Sequence, residues 1–350
     1  MKKLTFKKLL TVAAVFAALL MLPFVFTANN EAKAATKLLD ESINQSDNLK
    51  TMIVKFLMLT TPNENFEAIR EDGSMIEHTF TIMFDHPNKW RLEKQGRISV
   101  FDGVNSYSWL KTLEMKIMAN GVAGFFGGWD KFLDIQNLLK QEQESAKNDG
   151  SEINMKETGS QIILTVKSKA KGDFTNNYMK NSSIEESDNR RIYTFDKETK
   201  LIKEMQIQIF YNNSYHTIFE TTSILYNVPV DVDRLLERPQ NVEWMNLNKP
   251  LYSQALTGIT SKEAANLIFT ALANKNIEPV KEAFGSLNKN LTESLYGLKL
   301  IELGDSFKSG LYVGEFVPYK IKFANGKTAE GNIALRNDNP NKIWIIDGGL

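Results

Sequence analysis

Residues able to do chemistry are sparse in this chain of 350. It has no cysteine, which removes disulfides, thiolate catalysis and Cys-ligated metal together and suits an exported protein that folds without oxidation. Its three histidines are His78, His86 and His216, too few and too scattered for an imidazole-based site. Glu185, Glu186 and Asp188 form an acidic cluster whose spacing matches no calcium loop, so a solvated loop is the expectation there. Residues 121–129 (GVAGFFGGW) are Gly-rich, but no Gly-Lys-Ser/Thr follows, so they do not cradle phosphate. Asp305, Asp338 and Asp347 sit in or beside expected turns, with no histidine near them in sequence. No Ser-His-Asp set, paired carboxylate or metal-ligand cluster emerges. The expectation is a non-enzyme with no cofactor, which acts by binding.

Charge narrows the partners. Basic and acidic residues balance at 42 each, but the first 34 residues hold five Lys and one Glu, so the remainder carries a net charge of −4, the opposite of a nucleic-acid footprint. Lys2, Lys3, Lys7 and Lys8 precede an apolar run from Leu9 to Phe26, and Ala32-Lys33-Ala34 offers a small-residue cut before Ala35. Together these read as a signal peptide over residues 1–34, with no transmembrane segment left after cleavage and an extracytoplasmic destination, periplasm or cell envelope.

The elements follow from periodicity. Leu38, Leu39 and Ile43 mark a short helix, and Thr51–Thr60 a strand. Thr79–Leu110 then reads as four short antiparallel strands, with turns at Asp85-His86-Pro87-Asn88, Lys94-Gln95-Gly96 and Asp102-Gly103. Phe80, Ile82, Phe84, Trp90, Ile98, Val100 and Trp109 are expected to share one apolar face of that sheet, joined later by Ile207 and Ile209. Beyond the Gly-rich stretch, Phe132, Ile135, Leu138 and Leu139 fall at helical spacing, so Phe125, Phe126, Trp129 and Phe132 belong either to a lid over the sheet or to an ordinary loop and helix covering its core. Residues 141–150 are expected to be a polar spacer, and 169–191 an exposed loop. Strands are expected at Ile162–Lys167, Arg191–Phe195, Leu201–Tyr211, Tyr215–Thr222 and Ser223–Asn227.

Residues 36–240 resemble the outer-membrane lipoprotein carrier (LolA) family and its lipid-binding relatives. The resemblance rests on Leu49-Lys50-Thr51, on residues 86–91 (HPNKWR) followed by Val100-Phe101-Asp102-Gly103 and Tyr107-Ser108-Trp109, on Tyr193 to Asp196 and Leu201 to Lys203, and on the closing Val228-Pro229-Val230-Asp231. It implies an α+β fold, a curved unclosed antiparallel sheet (a half-barrel) capped by helices, whose concave apolar face binds the acyl chains of lipid or lipoprotein. In that family an Arg stands before the turn proline and helps hold the lid; here the latch position is His86, which leaves open a weaker latch, a pH-sensitive one or a different cargo. The same fold also serves envelope regulators that bind a membrane or anti-sigma partner, so an envelope protein partner is the alternative.

After a linker at 241–258, residues 259–350 change texture. Thr260-Ser-Lys-Glu263 is a capping box opening a helix. A second helical stretch and four strands follow, with Asn325-Gly326 as a hairpin turn. This pattern resembles the cone-shaped α+β domain of nuclear transport factor two-like (cystatin-like) proteins. A pocket, a docking surface or a structural appendage all remain open for it.

Overall fold

The computed structural model describes residues 31–59, 75–85, 87–94, 96–120, 135–147, 151–169, 188–211, 213–308 and 313–350. The architecture is α+β: one large, curved, unclosed sheet of twelve strands and one small sheet of four. In the large sheet the strands are β1 (Thr51–Leu59), β2 (Met75–Met83), β3 (Lys89–Lys94), β4 (Arg97–Phe101), β5 (Asn105–Leu110), β6 (Lys116–Asn120), β7 (Ser151–Thr158), β8 (Gln161–Ser168), β9 (Asn189–Asp196), β10 (Ile202–Tyr211), β11 (Ser214–Tyr226) and β12 (Met245–Asn246). Their order is β12-β6-β5-β4-β3-β2-β1-β11-β10-β9-β8-β7; every pairing is antiparallel except that of the short β12 with β6. The chain thus meanders outward from β1 to β6, crosses over, and meanders back from β7 to β11, which closes against β1.

The bend is written into the central strands. β11 carries extra residues at Ile218 against β10 and at Thr222 against β1, and β10 carries one at Lys203 against β9. Each such bulge kinks its strand and raises the local twist, and three beside one another curl the sheet where it is widest.

Two helices lie on the inner face, a helix over 31–46 (α1) and α2 (Ile135–Lys147). Ala35, Leu38 and Leu39 of α1 and Ile135, Leu138 and Leu139 of α2 join Met52, Val54, Phe56, Phe80, Trp90, Leu164, Tyr193, Phe195, Ile207 and Phe219 of the sheet in one core. The cut expected before Ala35 falls inside α1. On the outer face, β9 to β11 carry a polar ladder: Arg190 donates to Gln208, Gln208 to Gln206 and Thr217, and Gln206 to Glu220. A sheet with one greasy and one wet side is the expected result of strict alternation.

Two expectations need correction. Residues 141–147 are the second half of α2 rather than a spacer, and the next strand begins at Ser151, eleven residues before the one expected at Ile162. Asn189 and Arg190, expected in a loop, open β9 two residues before the strand expected from Arg191. Most of the 169–191 stretch lies outside the described residues.

The small sheet has the order β13-β14-β15-β16, from β13 (Lys299–Leu303), β14 (Glu315–Lys322), β15 (Thr328–Arg336) and β16 (Ile345–Gly348). On it pack α4 (Ser261–Ala273) and a 3₁₀ turn at Glu278–Phe284, followed in the chain by α5 (Lys289–Ser294); α3 (Val232–Leu236) belongs to the connection from the large sheet. Thr260 and Glu263 form the expected capping box, and Gly326 takes the positive φ the hairpin turn requires. This second core is separate from the first.

The two sheets meet at β4–β6. Met115, Ile117, Ala119, Leu247 and Ile345 make a small shared core, and the Ser286 carbonyl accepts from the Lys116 amide at 3.0 Å. Arg97 donates to the Asp347 carboxylate at 3.3 Å and to its carbonyl, and Arg336, fully buried, reaches the same carboxylate at 3.6 Å. Asp347, expected beside a turn, is instead a buried residue of β16 between two guanidiniums.

Candidate functional site

The nine residues expected on one apolar face divide between two. Phe80, Ile82, Trp90, Ile207 and Ile209 are buried in the inner core, and Phe84, half-buried, packs against it. Ile98, Val100 and Trp109 lie on the opposite face, in a cluster with Tyr107 that Leu236 of α3 and Trp244 cover. The reason is register: Lys94 pairs with Arg97 across the tight β3–β4 turn, so Ile98 shares a face with Glu93, and Trp90 with Phe101. The inward positions of β4 and β5 are instead Ser99, Ser106, Ser108 and Phe101, all buried. An inner-face site therefore excludes Ile98, Val100 and Trp109 and includes Phe101. Phe125, Phe126, Trp129 and Phe132 of the expected lid and the latch position His86 lie outside the described residues.

Between α2 and the sheet is an apolar pocket lined by Met52, Val54, Ile135, Leu138, Ile202, Met205, Thr221 and Ile224. Its open space is about 260 Å³ including the mouth, and the interior has room for about one water. With α2 in place, the residues lining this pocket nearly fill it.

One turn along α2 the surface becomes polar. Glu142 accepts from Arg191 Nε at 2.5 Å and Nη2 at 2.9 Å, a bidentate pair, and from the Tyr193 hydroxyl at 2.7 Å. Arg191 also donates to Asn189, to Ser168 at 3.2 Å and to Ser145 at 3.5 Å. Glu142 and Tyr193 are 3% and 0% exposed. Burial works to lower the Arg191 pKa, but Glu142's charge and hydrogen bonds outweigh it and hold the guanidinium above its ordinary value. Burial, then the Glu142 carboxylate, pushes the Tyr193 phenol well up.

Sequence reasoning missed this cluster, although a signal was there. Glu142 continues the stripe Ile135, Leu138, Leu139 at i+7, and Arg191 precedes Tyr193 and Phe195 at period two, so each charge stands on the buried stripe of its element. Charges so placed are paired when buried.

His78 is a further titratable group on the inner face. It is buried, stacks on Phe56 at 4.9 Å, and its Nδ1–H donates to the Ile76 carbonyl at 2.8 Å. Burial lowers its pKa to about 4, against the opposing effect of that carbonyl and with a smaller contribution from Lys94. Of the acidic cluster read in the sequence, Asp188 is within the described residues and pairs with Lys169 at 2.7 Å. Among the described residues no group of three or more His, Asp or Glu could hold a metal, and no helix is long and apolar enough to cross a membrane.

No protein-family model matches the chain, and no curated protein matches it. Solved structures similar to it include the Mycobacterium tuberculosis lipoprotein LppX, 12% identical with a TM-score of 0.34, covering 57% of this chain and 99% of that one. A Pseudomonas aeruginosa MucA/MucB complex is 10% identical with a TM-score of 0.32, covering 86% and 80%. A DUF1329 family protein from Desulfovibrio piger is 12% identical with a TM-score of 0.26, covering 59% and 97%. Likenesses this weak assign neither family nor function. The class rests on the chain's own architecture: an α+β protein with an open curved sheet, apolar within, and a smaller α+β unit docked at one end.

Proposed function

We propose that this is an exported, non-enzymatic binding protein of the cell envelope that takes the acyl chains of lipid or lipoprotein between α2 and the inner face of the large sheet. The observation that carries the reading is the apolar pocket under α2, walled by the helix on one side and by β1, β10 and β11 on the other. Each methylene removed from water there contributes about 0.8 kcal/mol, so no polar catalyst is needed for retention. The pocket is too small for an acyl chain while α2 is seated, so binding requires the helix to lift. The signal-like N-terminus supports the envelope location. In this reading residues 36–240 are the binding domain, 241–258 the linker, and 259–350 a cystatin-like domain that assists by docking.

Organic extraction of protein purified from its native envelope, followed by mass spectrometry, is expected to recover stoichiometric lipid. Ile224→Trp, which fills the pocket from a half-buried position, is expected to abolish that recovery while the protein stays folded. An empty extract from the unaltered chain, or equal lipid in the variant, overturns the reading. The small volume of that pocket favours a second one, a regulator that binds an envelope protein; an empty extract together with a co-purifying membrane protein would select it.

A further inference from the structure

The polar cluster under α2 adjoins the pocket directly. Met205 lines the pocket and is the cross-strand partner of Tyr193, whose hydroxyl meets Glu142. Leu138 lines the pocket one helical turn before Glu142. A chain lying along Leu138 and Met205 would therefore bring its end to Arg191.

What stands at Arg191 is already a carboxylate. Glu142 engages it by the two parallel hydrogen bonds that planar guanidinium makes with carboxylates, and Tyr193 adds a third donor. Glu142 belongs to α2, the element that must move, while Arg191, Tyr193, Asn189 and Ser168 belong to the fixed strands β8 and β9. The stability of the closed state does not require this pair, since well-packed apolar side chains in place of a buried ion pair are often as stable or more so.

We propose that Arg191 and Tyr193 form the headgroup receptor for a long-chain carboxylate, a fatty acid, and that Glu142 occupies it in the ligand-free chain. This rests on the acyl-binding reading above and adds the ligand's class. Exchange of one carboxylate for another leaves the buried charge balanced, and the outgoing Glu142 is carried to solvent as α2 lifts. A neutral head such as an alcohol cannot take Glu142's place without leaving the guanidinium uncompensated, so the site selects acids over alcohols of equal length. Ligand and helix compete for the same two residues, and apparent affinity is set in part by how often α2 is already lifted.

The test is equilibrium binding of radiolabelled palmitate and hexadecanol to the purified, delipidated chain and to Glu142→Gln and Tyr193→Phe, each first shown folded by circular dichroism. The unaltered chain is expected to prefer palmitate by about tenfold or more, the worth of a charge-assisted hydrogen bond. Glu142→Gln, which weakens the internal competitor, is expected to tighten palmitate about tenfold and hexadecanol alongside it, since both need α2 lifted. Tyr193→Phe, which removes the same donor from Glu142 and from the ligand carboxylate, is expected to leave palmitate nearly unchanged and to tighten hexadecanol, narrowing the preference between them. Equal binding of the two ligands, or a folded Glu142→Gln chain with unchanged or weaker palmitate binding, overturns this proposal and leaves the acyl-binding reading intact. Binding of neither ligand to any form defeats both.

Discussion

His78 offers a measure of how dry the inner face is. Its pKa in the folded chain is about 4, against about 6.5 when exposed. Between those values the unfolded chain holds a proton that the folded chain does not, so stability falls as pH drops from about 6.5 and levels off below about 4. The full difference corresponds to about 3 kcal/mol, and about 2 kcal/mol of it is lost by pH 5. His78→Phe keeps an aromatic ring against Phe56 and removes the titration. Urea unfolding of both chains at pH 7, 6, 5 and 4.5 isolates this group, because every other carboxylate and histidine titrates in both. The expected result is a stability difference that shifts toward the Phe variant by about 2 kcal/mol from pH 7 to pH 5. Parallel pH profiles would mean that His78 accepts its proton in the folded chain, that water reaches Phe56, and that the inner face is open rather than sealed.

Two further outcomes test the division of the sheet and its docking. Trp244→Ala removes a half-buried ring that meets Tyr107 at 5.1 Å and Trp109 at 5.9 Å on the outer face; it is expected to cost about 2 kcal/mol in urea unfolding and to leave the lipid content of the purified protein unchanged. Asp347→Asn leaves Arg97 and Arg336 with less opposing charge where the two sheets meet, and a cost of about 3 kcal/mol is expected, read as a lowered denaturant midpoint; a loss below about 0.5 kcal/mol would mean solvent screens the pair.

Much of the architecture was legible because the strands alternate strongly and the turns carry their usual residues. Asn325-Gly326 marks the β14–β15 hairpin, and the Thr260 capping box is legible from four letters. Facing was harder. Ile98 and Val100 look inward because they are apolar, yet the β3–β4 turn has only two residues between Lys94 and Arg97, and counting across it turns both outward. Period two identifies a strand, but only the turn says which side of it is the inside. β7 (SEINMKET) was missed for another reason: it is an edge strand with charged and polar residues at its exposed positions, as exposed edges tend to be. The candidate site was half legible. Its apolar wall follows from alternation, whereas Glu142 falls in a stretch whose polar composition hides the helical stripe, and Arg191 stands at the border of an expected loop and strand, where a charge looks solvated.

The two halves of the sheet differ in how they can move. β3 to β5 are buried on both sides, by Trp90, Leu92 and Phe101 within and by Ile98, Val100, Tyr107 and Trp109 under Leu236 and Trp244 without. Arg97 further ties this half to the second unit through Asp347. β9 to β11 have a solvated polar ladder outside, and inside them α2 and the pocket. Opening at β3 to β5 would expose two apolar layers at once. Lifting α2 exposes a single stripe of Ile135, Leu138 and Leu139 and breaks one charge pair. Cost per area buried thus places any opening at the helix, and the charge pair is the part of that cost an incoming carboxylate can refund.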